Sequence, residues 1–547
     1  MTEINIAARF SRNAETYPTQ AALICTDVSR PARQYSYRYL DDTSTAIAKG
    51  LRKAGLNKGD RVVLMVLPGL DFFALAFALF KLGAVLVGID PGMGLRNLGR
   101  CLAEAQPVAF IGNRKAHLAR RLLRWARLSL RLHITTETIP FQGDILNLAR
   151  LLEWGIATRA TLAIATRADD MAAILFTSGS TGAPKGVVYS HGNFTAQVAA
   201  LQQTFDIQPG EVDLATFPLF ALYAPVMGMT SVIPAMDFTR PGSVDLRQIH
   251  HAISMCKPTS MFGSPALLNR VGKWGVANNI TLPSLRRVLS AGAPVAPAVL
   301  ERFVKLLAPE AQVHTPYGAT EALPVSSIGS NEVLNETGKL TAQGRGICVG
   351  QGVDGIEIRI IPITDEPIAE WRDELAQPPN EIGEIVVRGP QVTCSYYNRE
   401  ESTRLTKIAA GNHGCYHRMG DLGYLDEHGR LWFCGRKSQR VDTAQGTLYT
   451  IPCEGVFNPH PRVSRTALVG VPADRGYLPV LCVEPEAGVR KSEYPAIRSE
   501  LLNLGGKHEH TTAIKHILFH KNFPVDVRHN AKINRERLAL WAQRKLR

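Results

Sequence analysis

Short runs of branched apolar residues alternate with two-faced helical stretches along most of this chain. The runs at 61–66 and 84–88 read as buried strands, whereas 39–54 and 196–205 carry apolar residues at helical spacing. That rhythm predicts α/β layers. The longest apolar stretch, 72–87, is interrupted by Lys81 and Gly83 and is shorter than the ~20 residues a membrane-spanning helix needs. It predicts a buried helix running into a strand. Near Ser438 the sequence turns polar, and strand-like runs at 467–471 and 480–483 then alternate with a helical stretch at 492–504. The expected organisation is a large layered α/β domain, residues 1–437, followed by a smaller α+β domain, residues 438–547. Residues 113–132 stand apart. Arg114, Lys115, Arg120, Arg121, Arg124, Arg127 and Arg131 are interleaved there with Leu118, Leu122, Trp125, Leu128 and Leu132. The pattern predicts a basic amphipathic helix that meets a membrane surface or a protein partner, or is simply solvated.

Composition narrows the function classes. A chain of 547 residues exceeds one domain of about 100–200 residues, and 45% hydrophobic with 20% charged residues is ordinary for a globular protein. The net charge of +14 suits an anionic substrate, an acidic partner or a lipid surface. No RNA-binding signature or zinc-finger spacing is present, so nucleic acid is not an expected partner. The nine cysteines include no Cys-x-x-Cys pair, which predicts reduced, mostly buried thiols in place of a metal site or disulfide framework. With no basic, apolar leader at the N-terminus, the expected location is cytoplasmic, with peripheral membrane contact through the basic helix.

The chemistry is concentrated at 176–191. Gly179, Gly182 and Gly186 let the backbone approach an anion, Thr177, Ser178, Ser180 and Thr181 offer hydroxyl donors, and Lys185 adds a positive charge. The alternative is a Ser/Gly-rich surface turn. It is not a Walker A loop, because Lys185 follows Pro184 and Gly186 leads into a β-branched run. The literal G-x-G-x-x-G at 350–355 precedes a strand-like run with no helix after it, so the dinucleotide-binding context is missing. No G-x-S-x-G elbow occurs.

The 176–191 string resembles the phosphate loop of the adenylate-forming superfamily, which contains acyl-CoA synthetases, luciferases and peptide-synthetase adenylation domains. Four further segments agree in order and approximate spacing: Tyr317-Gly-Ala-Thr-Glu321, the run 383–389, 420–424 with Gly435-Arg436, and Lys532. The resemblance implies a large adenylation domain with a mobile C-terminal lid, ATP as co-substrate and Mg²⁺ as cofactor. It further implies that Lys185 grips the outgoing phosphates and that Glu321 holds Mg²⁺ beside Thr320 at the α-phosphate. Lys532 reaches the forming acyl-adenylate. Gly292, Ala293 and Pro294 pass along adenine, Tyr317 with Gly318 stacks on it, and Asp421 with Arg436 takes the ribose. Phe220, Ala221, Phe262 and Gly263 occupy the acyl-pocket positions, where an aromatic core is the plainer reading.

The chain departs from an ordinary acyl-CoA ligase of this family at several points. The hinge position is Ser438, the stretch 439–454 keeps only Gly446 of a frequent glycine pair, and Ala221 stands where a histidine is common. His529-Asn-Ala precedes Lys532 in place of Ser/Thr-Gly. These departures resemble those of the β-lactone synthetases of bacterial long-chain olefin biosynthesis, which adenylate a 2-alkyl-3-hydroxy fatty acid and let its own 3-hydroxyl displace AMP. Holding that hydroxyl beside the activated carbonyl supplies a large effective molarity, which offsets the strain of a four-membered ring. The competing expectations are a long-chain fatty acyl-CoA ligase and a non-catalytic adenylate-binding scaffold. His191 is either the base for the hydroxyl or a structural histidine.

Overall fold

The computed structural model describes residues 4–138, 144–162, 164–177, 184–525 and 533–547. Among these, the strand-like runs of the N-terminal part assemble into two large sheets. In the smaller, the order is Ile145–Asn147, Leu132–Thr135, Ala109–Gly112, Arg61–Met65, Val85–Gly88, Met171–Phe176 and Gly186–Ser190. All neighbours are parallel except the last pair. The larger sheet has a parallel half containing Ala21–Asp27, Thr230–Pro234, Val212–Ala215, Ser260–Phe262, Arg287–Leu289 and Gln312–Ala319. From Gln312–Ala319 it continues as antiparallel strands through Ala322–Gly329, Ile347–Gly352, Arg430–Arg436 and Cys415–Leu425. Thr230–Pro234 and Ala109–Gly112 are buried at every position, as parallel strands covered on both faces must be.

The helix Leu70–Leu82 explains the longest apolar run. It is buried almost all round, and Gly83 ends it in the left-handed conformation at φ 68°. Phe73 and Phe77 join Phe10 and Val226 in the main core, so this is an interior helix of the globular fold. Its lysine, Lys81, is satisfied by Asp41 Oδ1 and Thr45 Oγ1, both at 2.7 Å. No helix among the described residues is long and apolar enough to cross a membrane.

Two expectations are corrected. The basic amphipathic helix is nine residues long, Arg114–Leu122, not the stretch 113–132. Arg124 and Ala126 adopt φ of 52° and 45°, which no α-helix accommodates, because the buried indole of Trp125 turns in against Gly99. Leu118, Leu122, Leu123 and Leu128 remain exposed among the arginines. Second, Cys394 and Cys415 form a disulfide, whereas the other seven cysteines are free thiols as expected. Cys394 lies in the loop after the strand Gly383–Arg388 and Cys415 opens the strand Cys415–Leu425, so the pairing spans 21 residues and no local spacing announces it.

From Val441 onward the chain builds its own sheets. The hairpin Val441–Thr443 with Gly446–Leu448 precedes the helix Thr450–Phe457, and a three-stranded sheet follows of Val463–Pro472, Tyr477–Pro485 and His516–Phe519. The helix Arg535–Leu546 is anchored by the buried pair Arg535–Glu454, 2.5 Å from Nη1 to Oε1. Glu454 also accepts the Leu468 N–H at 2.8 Å, which ties helix to sheet.

Helices Tyr37–Lys53 and Leu148–Ala157 cross at two glycines. A Cβ on Gly50 would lie 2.1 Å from the Leu151 carbonyl oxygen, and one on Gly155 would lie 1.8 Å from that of Ala46. Gly155→Ala is expected to force the helices apart at a cost of about 1–3 kcal/mol, lowering the thermal unfolding midpoint by several degrees. An unchanged midpoint in differential scanning calorimetry would count against this packing.

Candidate active site

The hairpin that carries the phosphate-loop sequence is closed by backbone pairing. Phe176 lies opposite Gly186, and the Thr177 N–H donates to the Lys185 carbonyl at 3.0 Å. Thr177 and Lys185 therefore flank the loop base. Ser178, Gly179, Ser180, Thr181 and Gly182 lie outside the described residues, as does Lys532. On either side of the latter, Val525 and Ile533 pair with each other, and both line the central cleft.

Tyr396 joins the loop base to Glu321. The segment around it is laid along the hairpin, with the Val188 N–H donating to Ser395 at 3.1 Å and the Tyr397 N–H to Gly186 at 2.7 Å. The Lys185 ammonium sits 5.1 Å above the Tyr396 ring centroid, a cation–π distance. The Tyr396 phenol donates to Glu321 Oε1 at 2.6 Å. Burial, then the Glu321 charge, raises the phenol's pKa, so it stays protonated and able to donate. The other Glu321 oxygen has no partner among the described residues. A single carboxylate with a free oxygen fits Mg²⁺, which characteristically takes one or two carboxylates and completes its shell with phosphates and water.

Behind this hub lies Lys407, 8% exposed, whose ammonium donates to the Thr393 carbonyl and sits 5.7 Å from the Tyr396 centroid. Burial lowers its pKa to about 7, opposed by the Glu321 charge. Thr393 in turn donates its N–H to the Glu321 carbonyl at 2.9 Å. Thr320 is held from the other side: its carbonyl accepts the Tyr189 phenol. Gln197 donates to that phenol at 3.4 Å and accepts from the Tyr223 phenol at 2.5 Å.

The ribose candidates meet on adjacent strands. Asp421 and Arg436 are register partners, 3.0 Å from Oδ1 to Nη1, and the Tyr317 phenol donates to Asp421 Oδ2 at 2.7 Å. Gly318 is compelled by space, since a Cβ there would meet the Ala322 carbonyl oxygen at 2.6 Å. Gly292 turns the chain at φ 93° between strand and helix, and Ala293 and Pro294 follow it along the same wall. These groups, with Lys185 and Glu321, face one cleft of about 2630 Å³ that continues past an aromatic wall. In that wall Phe220 stands 5.1 Å from Phe262. Ala221 and Gly263 pack behind it: Ala221 is 1% exposed, and a Cβ on Gly263 would lie 2.5 Å from Leu268. His191 is wholly buried against Phe80, and burial lowers its pKa to about 4, a structural position apart from the cleft.

Sequence reasoning missed Tyr396, Lys407, Thr393, Tyr189 and Gln197. They have no common spacing. Only Gln197 carried a local signal, as a polar residue on the buried face of the helix His191–Thr204.

A family model described as AMP-binding enzyme matches residues 10–397. The chain belongs to that family. It is an adenylate-forming, ATP-dependent enzyme. It is 49% identical to the olefin beta-lactone synthetase of Xanthomonas campestris pv. campestris, over 99% of this chain and 98% of that protein. Identity to the olefin beta-lactone synthetase of Stenotrophomonas maltophilia is 47%, over 99% and 98%. A 2-succinylbenzoate–CoA ligase of Bacillus cereus is 25% identical over 86% of this chain and 87% of that one. Among solved structures, ATP-bound MatB from Rhodopseudomonas palustris superposes with a TM-score of 0.79 at 20% identity, covering 100% of both chains. The amide bond synthetase McbA from Marinactinospora thermotolerans gives 0.78 at 20% identity over 98% and 99%. These structures share the fold, a large N-terminal and a smaller C-terminal domain.

Tyr396→Phe keeps the ring beneath Lys185 but removes the bond to Glu321. Since hydrogen bonds to charged groups contribute about 1.5–3 kcal/mol, ATP–pyrophosphate exchange is expected to fall by about 10- to 100-fold with the fold retained, and unaltered exchange would refute the coupling. Lys407 gives a pH signature. Its folded pKa, about 7, lies below the ordinary 10.5, so between those values the unfolded chain binds the extra proton. Relative to Lys407→Met, the parent should gain stability as pH rises from about 7 to 10, read as a difference in urea midpoints. A difference independent of pH would exclude a buried neutral amine.

Proposed function

We propose that this enzyme adenylates a long-chain 2-alkyl-3-hydroxy fatty acid and closes it to a β-lactone, releasing AMP and diphosphate. The observation that carries the reading is the 49% identity to an olefin beta-lactone synthetase along essentially the whole of both chains. The aromatic wall of Phe220 and Phe262 beyond the adenylate cleft supports an aliphatic acid.

In the first step a carboxylate oxygen of the substrate attacks the α-phosphorus of ATP, and the bond to the diphosphate oxygen breaks. Lys185 and the loop hydroxyls, Thr177 among them, hold the departing phosphates. Lys532 meets the acyl-adenylate from the small domain, which we place at 438–547 behind the hinge at Ser438. Mg²⁺ held at Glu321 would offset the phosphate charge. Asp421 accepts from the ribose hydroxyls, with Arg436 and Tyr317 holding it in place. Such preorganised charge is the major source of stabilisation when an anion is transferred. In the second step the substrate's 3-hydroxyl oxygen attacks the acyl carbon, the C–O bond to AMP breaks, and the hydroxyl proton is lost to solvent or phosphate. The altered stretch after Ser438, with its hairpin Val441–Thr443 and Gly446–Leu448, agrees with a second step that needs no external thiol.

Product analysis by NMR and mass spectrometry, with ATP, Mg²⁺ and a synthetic 2-alkyl-3-hydroxy fatty acid, is expected to give β-lactone and AMP without coenzyme A. A thioester formed only in the presence of coenzyme A would make the enzyme a ligase and overturn the proposal.

A further inference from the structure

One polar chain crosses the apolar wall of the acyl side of the cleft. Gln197 is 3% exposed among Phe194, Val198 and Tyr223, and burying a primary amide there is costly unless its hydrogen bonds are made. The network fixes which way the amide points. The Tyr189 phenol spends its proton on the Thr320 carbonyl, so toward Gln197 it offers only a lone pair. The amide nitrogen must therefore face Tyr189, at 3.4 Å, and the amide oxygen must face Tyr223, whose phenol donates at 2.5 Å.

Two hydrogen-bonding capacities are left over. The second Gln197 N–H and the lone pairs of the Tyr223 phenol oxygen have no partner among the described residues, and both side chains line the cleft. Nearby Thr216 is spent on the Phe262 carbonyl, at 2.5 Å. One donor and one acceptor on neighbouring groups complement an alcohol, which accepts at oxygen and donates its hydrogen. We propose that Gln197 and Tyr223 seat the substrate's 3-hydroxyl and thereby select a hydroxylated acid over a plain fatty acid. This rests on the reaction proposed above and names the specificity residues of the same site.

The connection has a geometric consequence. Through Tyr189 the hydroxyl seat is linked to Thr320, the neighbour of Glu321, so the place of the hydroxyl is registered against the adenylate end of the cleft. An acid without the hydroxyl leaves the donor and acceptor desolvated and unpaired, the kind of loss by which a site built for a hydroxyl rejects its deoxy analogue. Gln197 and Tyr223 are positioning residues here, since neither an amide nor a protonated phenol takes up the hydroxyl proton.

The test uses the full-length enzyme in ATP–pyrophosphate exchange with a 2-alkyl-3-hydroxy acid and with its 3-deoxy counterpart of equal length. The parent should favour the hydroxy acid in kcat/KM by at least about 10-fold. Tyr223→Phe, which conserves packing, and Gln197→Leu should bring that ratio close to one by lowering exchange with the hydroxy acid alone. Variants that slow both acids equally would show a structural role and overturn the assignment, as would a parent that does not discriminate. If the parent exchanged with neither acid, the proposed reaction itself would fall, and this assignment with it.

Discussion

The site depends on keeping two opposite charges close without letting them cancel. Lys185 precedes the strand Gly186–Ser190 of one sheet and Glu321 sits in the turn between two strands of the other, and a direct ion pair between them would close the place where the proposed reaction seats the phosphates. Tyr396 prevents that closure. Its ring faces the Lys185 ammonium, and its phenol binds one Glu321 oxygen, leaving the second free. The phenol is protonated at neutral pH, and burial pushes its pKa higher still. Much of the surrounding architecture serves to fix this one side chain: backbone bonds from Val188 and to Gly186 hold its segment, and Lys407 and Thr393 pack behind it.

A second constraint sits around Ser438, which precedes the separate sheets of the C-terminal part. Glu384 is almost fully buried and binds Arg418 at 2.5 Å and Lys437 at 3.2 Å, while Arg440 reaches Asp365 at 3.3 Å. The residues flanking Ser438 are thereby fastened on one side to the segments carrying Glu384 and Asp365. On the other, Arg535 binds Gln439 at 3.1 Å as well as Glu454. Removing one partner of the buried Arg418–Glu384 pair leaves an uncompensated charge, so that pair fixes this segment more through the cost of breaking it than through any net gain in stability.

In the proposed reaction, the aromatic wall and the polar chain of Tyr223, Gln197 and Tyr189 divide the labour of substrate selection. Apolar surface accepts an alkyl chain of many lengths at similar energy per methylene, and it cannot distinguish a hydroxyl from its absence with much force. A donor and acceptor set within that surface can, because desolvated polar groups are expensive to leave unpaired.

The elements whose chemistry is local were legible in the sequence. The helix at Leu70–Leu82, the strands Arg61–Met65 and Val85–Gly88 and the alternation in the small domain follow from hydrophobic period alone, and the ordered motifs at 176–191, 317–321, 420–424 and 435–436 named the family without coordinates. The basic stretch was read too long because helical spacing continues past Leu122, while the outcome there turns on Trp125 finding Gly99 on another helix. The pairing of Cys394 with Cys415, and the roles of Tyr396, Lys407 and Gln197, have the same origin. Each depends on which residue a distant strand brings within about 6 Å, a distance at which cation–π contact begins, and spacing along one chain carries no record of it. The sequence by itself determined the fold class and the chemistry available. Only the tertiary structure decided which charges are buried, which hydrogen bonds remain unspent and therefore what the cleft can recognise, because burial and pairing are properties of neighbours in space.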